Sequence, residues 1–130
     1  MIKTENLTKS YRSGLNRSFV LRRINLEIDE GSFVTVQGPS GAGKSTLLHI
    51  LGLLDEPSEG TYYFRGDRAD TMSDKQRTEI HRTHIGFVFQ AYHLIDDLTV
   101  YENLETPLMY KGLKKKERQS KVAEMLDKFG

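Results

Sequence analysis

Residues 38–45 read Gly-Pro-Ser-Gly-Ala-Gly-Lys-Ser, which satisfies the spacing G-x-x-x-x-G-K-[ST]. No other stretch of the chain limits its fold as tightly. The pattern has a use only where a strand ends in a tight loop and a helix begins straight after it. Both flanks comply. Phe33-Val34-Thr35-Val36 reads as a strand of β-branched and aromatic residues that ends at Gly38. From Lys44 to Leu54, the residues Leu47, Leu48, Ile50, Leu51 and Leu54 recur at helical spacing.

The loop's chemistry divides by residue. Gly38, Gly41 and Gly43 permit backbone conformations closed to other residues and let N–H groups come close to a ligand. A concave row of N–H groups at the positive end of a helix binds anionic oxygen, phosphate above all. Pro39, Ser40 and Ala42 complete the loop. Lys44 places a compact positive charge at β- and γ-phosphates. Ser45 offers a hydroxyl to Mg²⁺, a hard ion that prefers oxygen. Thr46 is placed to donate to an α-phosphate. Alone, the motif implies a P-loop NTPase. GTPases, nucleotide kinases and transport ATPases all remain within that description.

Composition trims the alternatives. With 19 Lys+Arg against 18 Asp+Glu, the net charge is +1, so bulk charge does not draw this chain to nucleic acid. There is no cysteine, which removes disulfide frameworks and thiolate metal sites and fits a reducing compartment. Apolar runs are far shorter than the ~20 residues a spanning helix needs. No Asn-Lys-x-Asp guanine reader occurs, against a GTPase, and little length is left for the lid and acceptor site of a small kinase.

Elsewhere, Ile24, Leu26 and Ile28 alternate with Arg23, Asn25 and Glu27, the pattern of a half-buried strand. Thr61–Phe64, between Gly60 and Gly66, reads as a short strand. Ser73-x-x-Gln76 is a capping box that opens a polar helix to about Arg82. Ile85, Phe87 and Phe89 alternate in a second apolar strand that ends at Gln90. Thr99-x-x-Glu102 is another capping box, opening a helix through Leu104 that Pro107 bends or ends. Val122, Met125, Leu126 and Phe129 form one apolar helical face.

Taken in order, these motifs resemble the ATP-binding subunit of an ABC transporter, over essentially the whole chain. Tyr11, in Thr8-Lys9-Ser10-Tyr11, matches the family's aromatic loop. Gly38–Thr46 has the wording of its Walker A loop. Leu51–Gly60 is similar to its segment after the P-loop helix. Gly86-Phe87-Val88-Phe89-Gln90 matches the strand leading to its Q-loop glutamine, and Leu98–Asn103 matches its segment beyond that glutamine. The wording around Gln90 is most similar to the lipoprotein-release and macrolide-export subgroup.

The resemblance implies an α/β fold: a RecA-like P-loop NTPase core, an N-terminal antiparallel β-subdomain and the start of a helical subdomain. Residues 1–90 would hold the nucleotide-binding core with that β-subdomain. Residues 91–130 would continue the Q-loop and start the helical subdomain. It implies ATP and Mg²⁺ as ligands, with Gly38 to Thr46 around the phosphates and Ser45 and Gln90 on the metal. It makes Lys44 and Gln90 catalytic, and Tyr11 the platform for adenine. On physical grounds alone, Tyr11 reads as an ordinary strand-end tyrosine and Gln90 equally as a surface residue. The implied partners are a membrane permease that meets the segment after Gln90, and a second subunit packed head to tail. The implied location is the cytoplasmic face of the plasma membrane.

Several patterns invite other readings. Leu54-Asp55-Glu56 mimics the end of a Walker B strand. Yet Asp55 comes after Lys44 through a helical pattern, which puts it roughly 16 Å along the axis from the phosphates. It reads instead as a helix end before a Pro turn. His81 and His84 stand three apart, without companion carboxylates or cysteines for a metal. Lys111, Lys114, Lys115, Lys116, Arg118 and Lys121 read as the solvated face of the final helix.

The family's Leu-Ser-Gly-Gly-Gln signature, its Walker B strand, the catalytic Glu and the switch His do not occur in the 130 residues. The expectation is a first part of a larger nucleotide-binding domain, complete for holding phosphate and incomplete for cleaving it. A truncated, non-catalytic nucleotide-binding product is the alternative. An apolar P-loop strand without its parallel neighbour leaves an open edge, so the isolated chain is expected to be marginally stable.

Overall fold

A computed structural model of the chain describes residues 1–14 and 16–129, with Ser13 described by its backbone alone. Gly130, the end of the second expected segment, lies outside the described residues. The chain divides into two units, Met1–His81 and Arg82–Gly130.

The first unit is built on a four-stranded antiparallel sheet: β1 (Ile2–Ser13), β2 (Asn16–Ile28), β3 (Glu59–Phe64) and β4 (Asp67–Arg68), in the order β2-β1-β3-β4. The alternation read in residues 23–28 is present, with Ile24, Leu26 and Ile28 half-buried and Arg23, Asn25 and Glu27 exposed. Leu21 is buried on the same sheet although it lies three residues before Ile24. A bulge reconciles the two. Arg23 adopts φ 48°, the β1–β2 register shifts between Leu7 and Lys9, and the Arg23 N–H donates to Thr8 Oγ1 at 3.1 Å.

β1 was not legible as a strand. Its buried face is carried by Thr4, Leu7 and Thr8, so apolar alternation is missing. Thr4 is tolerated because its hydroxyl donates to the Ile24 carbonyl at 3.0 Å and accepts the Leu26 N–H at 3.2 Å. At the bulge, Asn6 turns to φ 51°, and β3 approaches so closely that a Cβ on Gly60 would stand 2.4 Å from the Asn6 carbonyl oxygen. Only glycine fits there. β3 and β4 join through Arg65 and Gly66, both at positive φ, as a two-residue hairpin requires.

The buried apolar residues of this unit are Leu7, Leu21, Ile50, Leu51, Leu53, Tyr62 and Ala69. Ile50 and Leu51 come from helix α1 (Lys44–Leu51). The expected helix to Leu54 is too long by a turn. Gly52 caps it, the Leu53 N–H donates to the Ile50 carbonyl, and the Leu54 N–H reaches back to the His49 carbonyl at 2.8 Å. This is a Schellman ending with Leu53 at φ 60° in the left-handed position. Leucine is strained there by about 1–2 kcal/mol, and burial of its side chain offsets the strain. Tyr62 donates its hydroxyl to the Leu51 carbonyl, closing the core, and burial pushes its phenol up in pKa.

Two expected strands are absent. Residues 33–36 and 85–89 take no regular secondary structure and pair with no strand among the described residues. Phe33 is 94% exposed and Val88 99%. A strand needs at least one hydrogen-bonded neighbour, a parallel one reached by a crossover, and among the described residues neither segment has one.

After β4 come a 3-10 turn (Ala69–Thr71) and helix α2 (Asp74–Thr83), opened by the expected capping box: the Ser73 N–H donates to Gln76 Oε1 at 2.9 Å. The second unit carries helices α3 (Val100–Tyr110) and α4 (Lys115–Phe129). The Thr99–Glu102 box is formed in both directions. Pro107 does not end α3, which continues to Tyr110. Asn103 ties the preceding loop to α3. Its amide donates to the carbonyls of Ile95, Leu98 and Thr99, and its oxygen accepts the Ile95 N–H. On α4 only Val122 is buried; Met125, Leu126 and Phe129 of the same face are exposed. Arg118 leaves the solvated lysine face to pair with Glu105 at 2.9 Å.

Candidate functional site

The loop of residues 38–43 forms as its glycines require. Gly38, Gly41 and Gly43 stand at φ 153°, 78° and 87°. Gly43 is doubly constrained. It is the N-cap of α1 in the left-handed region, and a Cβ on it would lie 2.9 Å from the Val20 carbonyl oxygen and from Leu21 Cδ2. A glycine N-cap has no side chain to occupy the first-turn N–H groups, and no acidic residue stands in that turn. The helix's positive end is therefore left for an external anion. Lys44 is folded back, with Nζ donating to the carbonyls of Gly38 at 2.9 Å and Pro39 at 2.8 Å. Those two contacts tie the ammonium to the loop's own backbone. Ser45 is exposed and Thr46 half-exposed on the first turn.

Tyr11 belongs to the same unit. It pairs with Ser18 across the β1–β2 ladder, and Gly43 packs on Val20 and Leu21 of the same β2 strand. Ser18 and Val20 are about 7 Å apart at the usual rise of a strand. β2 thus serves as a ruler between the aromatic ring and the phosphate loop. The ring is 50% exposed, and Lys9 Nζ lies 5.3 Å from its centroid.

Asp55, rejected above as a Walker B carboxylate, has a different task. It accepts from Lys9 Nζ at 2.6 Å and from the Glu56 N–H at 2.7 Å, and stands 3.5 Å from the Tyr11 hydroxyl. Burial works to raise its pKa, but the hydrogen bonds and the positive charge of Lys9 outweigh that and hold it below the usual value. Sequence reasoning missed this cluster. One signal was available: Lys9 and Tyr11 are two residues apart, hence on one face of a strand.

Gln90 lies in the second unit, exposed, directly after residues 85–89. Beside it Phe87, Phe89 and His93 stack in series, with centroids 5.3 and 4.6 Å apart. The His81 Nε2–H donates to the Gly52 carbonyl, 2.7 Å away, a structural contact. Among the described residues no group of three or more His, Cys, Asp or Glu is arranged to hold a metal ion. Among the described residues no helix is long and apolar enough to cross a membrane.

Residues 21–130 match the family described as ABC transporter. An ABC transporter ATP-binding protein of Methanocaldococcus jannaschii, MJ1508, is 44% identical across the whole chain, which covers 58% of that protein. The macrolide export ATP-binding/permease protein MacB of Vibrio parahaemolyticus is 42% identical, again across the whole chain and over 20% of its own length. The dimeric ATP-binding cassette MJ0796, solved in a post-hydrolysis state bound to ADP and Pi, superposes with a TM-score of 0.88 at 43% identity. The match takes in 98% of this chain and 56% of that one. The chain thus spans little more than half the length of the single-cassette relatives it matches. Its α/β fold is that of a P-loop NTPase with an antiparallel β-subdomain, and the chain belongs to the ABC transporter family, among its ATP-binding proteins.

Proposed function

We propose that this chain binds Mg·ATP on the loop Gly38–Thr46. In this reading the N–H groups of the loop and of the first turn of α1 hold the phosphates, and Lys44 exchanges its two carbonyl partners for phosphate oxygen. Tyr11 stacks on adenine. Mg²⁺, when bound, neutralises phosphate charge, and Ser45 and Gln90 are the residues of this chain that supply it with oxygen. The exposed Ser45 hydroxyl on the first turn fits a hard oxygen-seeking ion. The observation that carries the reading is the capping of α1. A glycine in the left-handed region leaves the helix's positive end open, and the Lys44 ammonium is bonded to the loop carbonyls of Gly38 and Pro39 just before it.

In the whole protein, ATP binding and hydrolysis would drive closure and opening of a head-to-tail dimer, passed to a membrane permease through the segment after Gln90. That places the protein on the cytoplasmic face of the plasma membrane. A dimer is the state in which the related cassette MJ0796 was solved. Hydrolysis needs a carboxylate to position water and added charge on the γ-phosphate. The 130 residues hold no signature sequence and no Walker B strand to provide them. By itself the chain is therefore a nucleotide binder without sustained turnover.

Calorimetric titration of the 130-residue chain with ATP in excess Mg²⁺ tests this. Lys44→Ala is expected to weaken binding by about 100-fold, the loss of a charge-assisted contact. Equal affinity in the variant would remove the site. Steady phosphate release by the wild-type chain, lost in Lys44→Ala, would overturn the claim of binding without turnover.

A further inference from the structure

The phosphate loop makes no use of Lys9 and Asp55, yet they form an ionic contact at 2.6 Å in the first unit. We infer that Lys9 and Asp55 are positioning residues for the Tyr11 ring, fixing the face on which a base stacks. The inference rests on the reading of Tyr11 as the stacking residue.

The Lys9 side chain is only 12% exposed although Tyr11 beside it is half-exposed. Its ammonium has three protons. One goes to Asp55 Oδ1 at 2.6 Å and another to the Glu56 carbonyl at 2.7 Å. The ammonium also lies over the Tyr11 ring, 5.3 Å from its centroid, within cation–π range. The phenol's contact with Asp55 is long at 3.5 Å, so the cation under the ring is the stronger restraint. One ring face is occupied in this way, and the opposite face is left for a ligand.

The clamp is itself held in place. The Ser58 N–H donates to the Thr8 carbonyl at 2.8 Å, and the Ser10 N–H donates to Ser58 Oγ at 3.1 Å. Residues 55–58 are thereby stitched along the strand that bears Tyr11. The same segment continues directly from α1, whose other end is Lys44. Base platform and phosphate loop are thus registered to one helix. A half-exposed tyrosine left to itself would populate several rotamers and lose that freedom on binding. The Lys9–Asp55 pair removes the loss in advance.

The test separates the base from the phosphates. Binding of ATP and of inorganic tripolyphosphate, each with Mg²⁺, is measured on the 130-residue chain and its variants. Lys9→Met and Asp55→Ala are expected to weaken ATP binding about fivefold, a cation–π contact's worth, and to leave tripolyphosphate binding unchanged. Lys9→Arg, which keeps a cation under the ring, restores ATP binding. In a Tyr11→Ala background, Lys9→Met adds no further loss. Equal losses for ATP and tripolyphosphate would make the pair a purely structural tie and overturn the inference. So would ATP binding that falls in Tyr11→Ala but not in Lys9→Met or Asp55→Ala. ATP binding untouched by Tyr11→Ala would instead remove the stacking role of Tyr11, and the positioning role with it.

Discussion

Residues 2–28 and residues 33–36 are similar in strand propensity and opposite in outcome. The first stretch makes β1 and β2, paired antiparallel and bent by a bulge that keeps Leu21 and Ile24 on one face. The second stretch, Phe33–Val36, is richer in β-branched and aromatic residues, yet pairs with no strand among the described residues. Residues 85–89 behave the same way. Composition does not separate these regions; access to a partner does. An antiparallel neighbour is reached through a short turn. A parallel neighbour has to be brought in by a crossover from elsewhere, and among the described residues none arrives.

Substitutions can put this contrast at risk. The largest effect belongs to Leu7, fully buried on β1. Leu7→Ala is expected to cost about 3 kcal/mol in urea unfolding. Phe33→Ala, at 94% exposure, should stay within about 0.5 kcal/mol and lower the binding of a hydrophobic dye. Equal costs for the two would mean that residues 33–36 are packed in solution, and the contrast would vanish.

Thr4→Val comes next. It keeps the shape and removes the hydroxyl that serves Ile24 and Leu26, at a cost of about 1–2 kcal/mol, read in the same unfolding experiment. A stabilised variant would show that the bulge does not need that hydroxyl. Thr99→Ala removes one half of a capping box and should lower stability by about 1 kcal/mol. The loss should appear as faster amide exchange confined to the start of α3. Faster exchange throughout β1 and β2 would contradict the division into two units.

The smallest effect is one of pH. The Arg68 guanidinium beside Asp70, which donates at 3.0 and 2.6 Å, lowers the Asp70 pKa. Burial opposes this, and the Tyr62 N–H adds to the lowering. A carboxyl with a depressed folded pKa stabilises the fold above its ordinary value of 3.8, and that stability is lost as pH falls through the folded pKa. Asp70→Asn should therefore destabilise at neutral pH and flatten the acid limb below about pH 4. An unchanged slope would mean that the Arg68 contact is not kept in solution.

Local rules carried far in this chain where they were self-contained. Both capping boxes formed because donor and acceptor lie three residues apart. The phosphate loop formed because its glycines answer to their own φ angles. The reading of the sequence failed where the deciding contact is distant. β1 escaped notice because Thr4 and Thr8 replace apolar residues on its buried face, and their hydroxyls are satisfied only across the sheet or at the bulge. Pro107 was expected to bend or end a helix that runs on to Tyr110. Asp55 was correctly refused as a Walker B carboxylate, but its ion pair with Lys9, 46 residues away, has no local signature.

The phosphate loop, the helix after it, the capped helix starts and the family could all be read from the amino acids in order. Each rests on residue types at short fixed spacing, where chain connectivity supplies the partner. Folding in three dimensions was needed to settle which apolar segments became strands, where α1 ended, and that Lys9 and Asp55 meet beneath Tyr11. Those outcomes depend on hydrogen-bond and charge partners brought from far along the chain, and a strand or a buried charge is stable only once such a partner is in place.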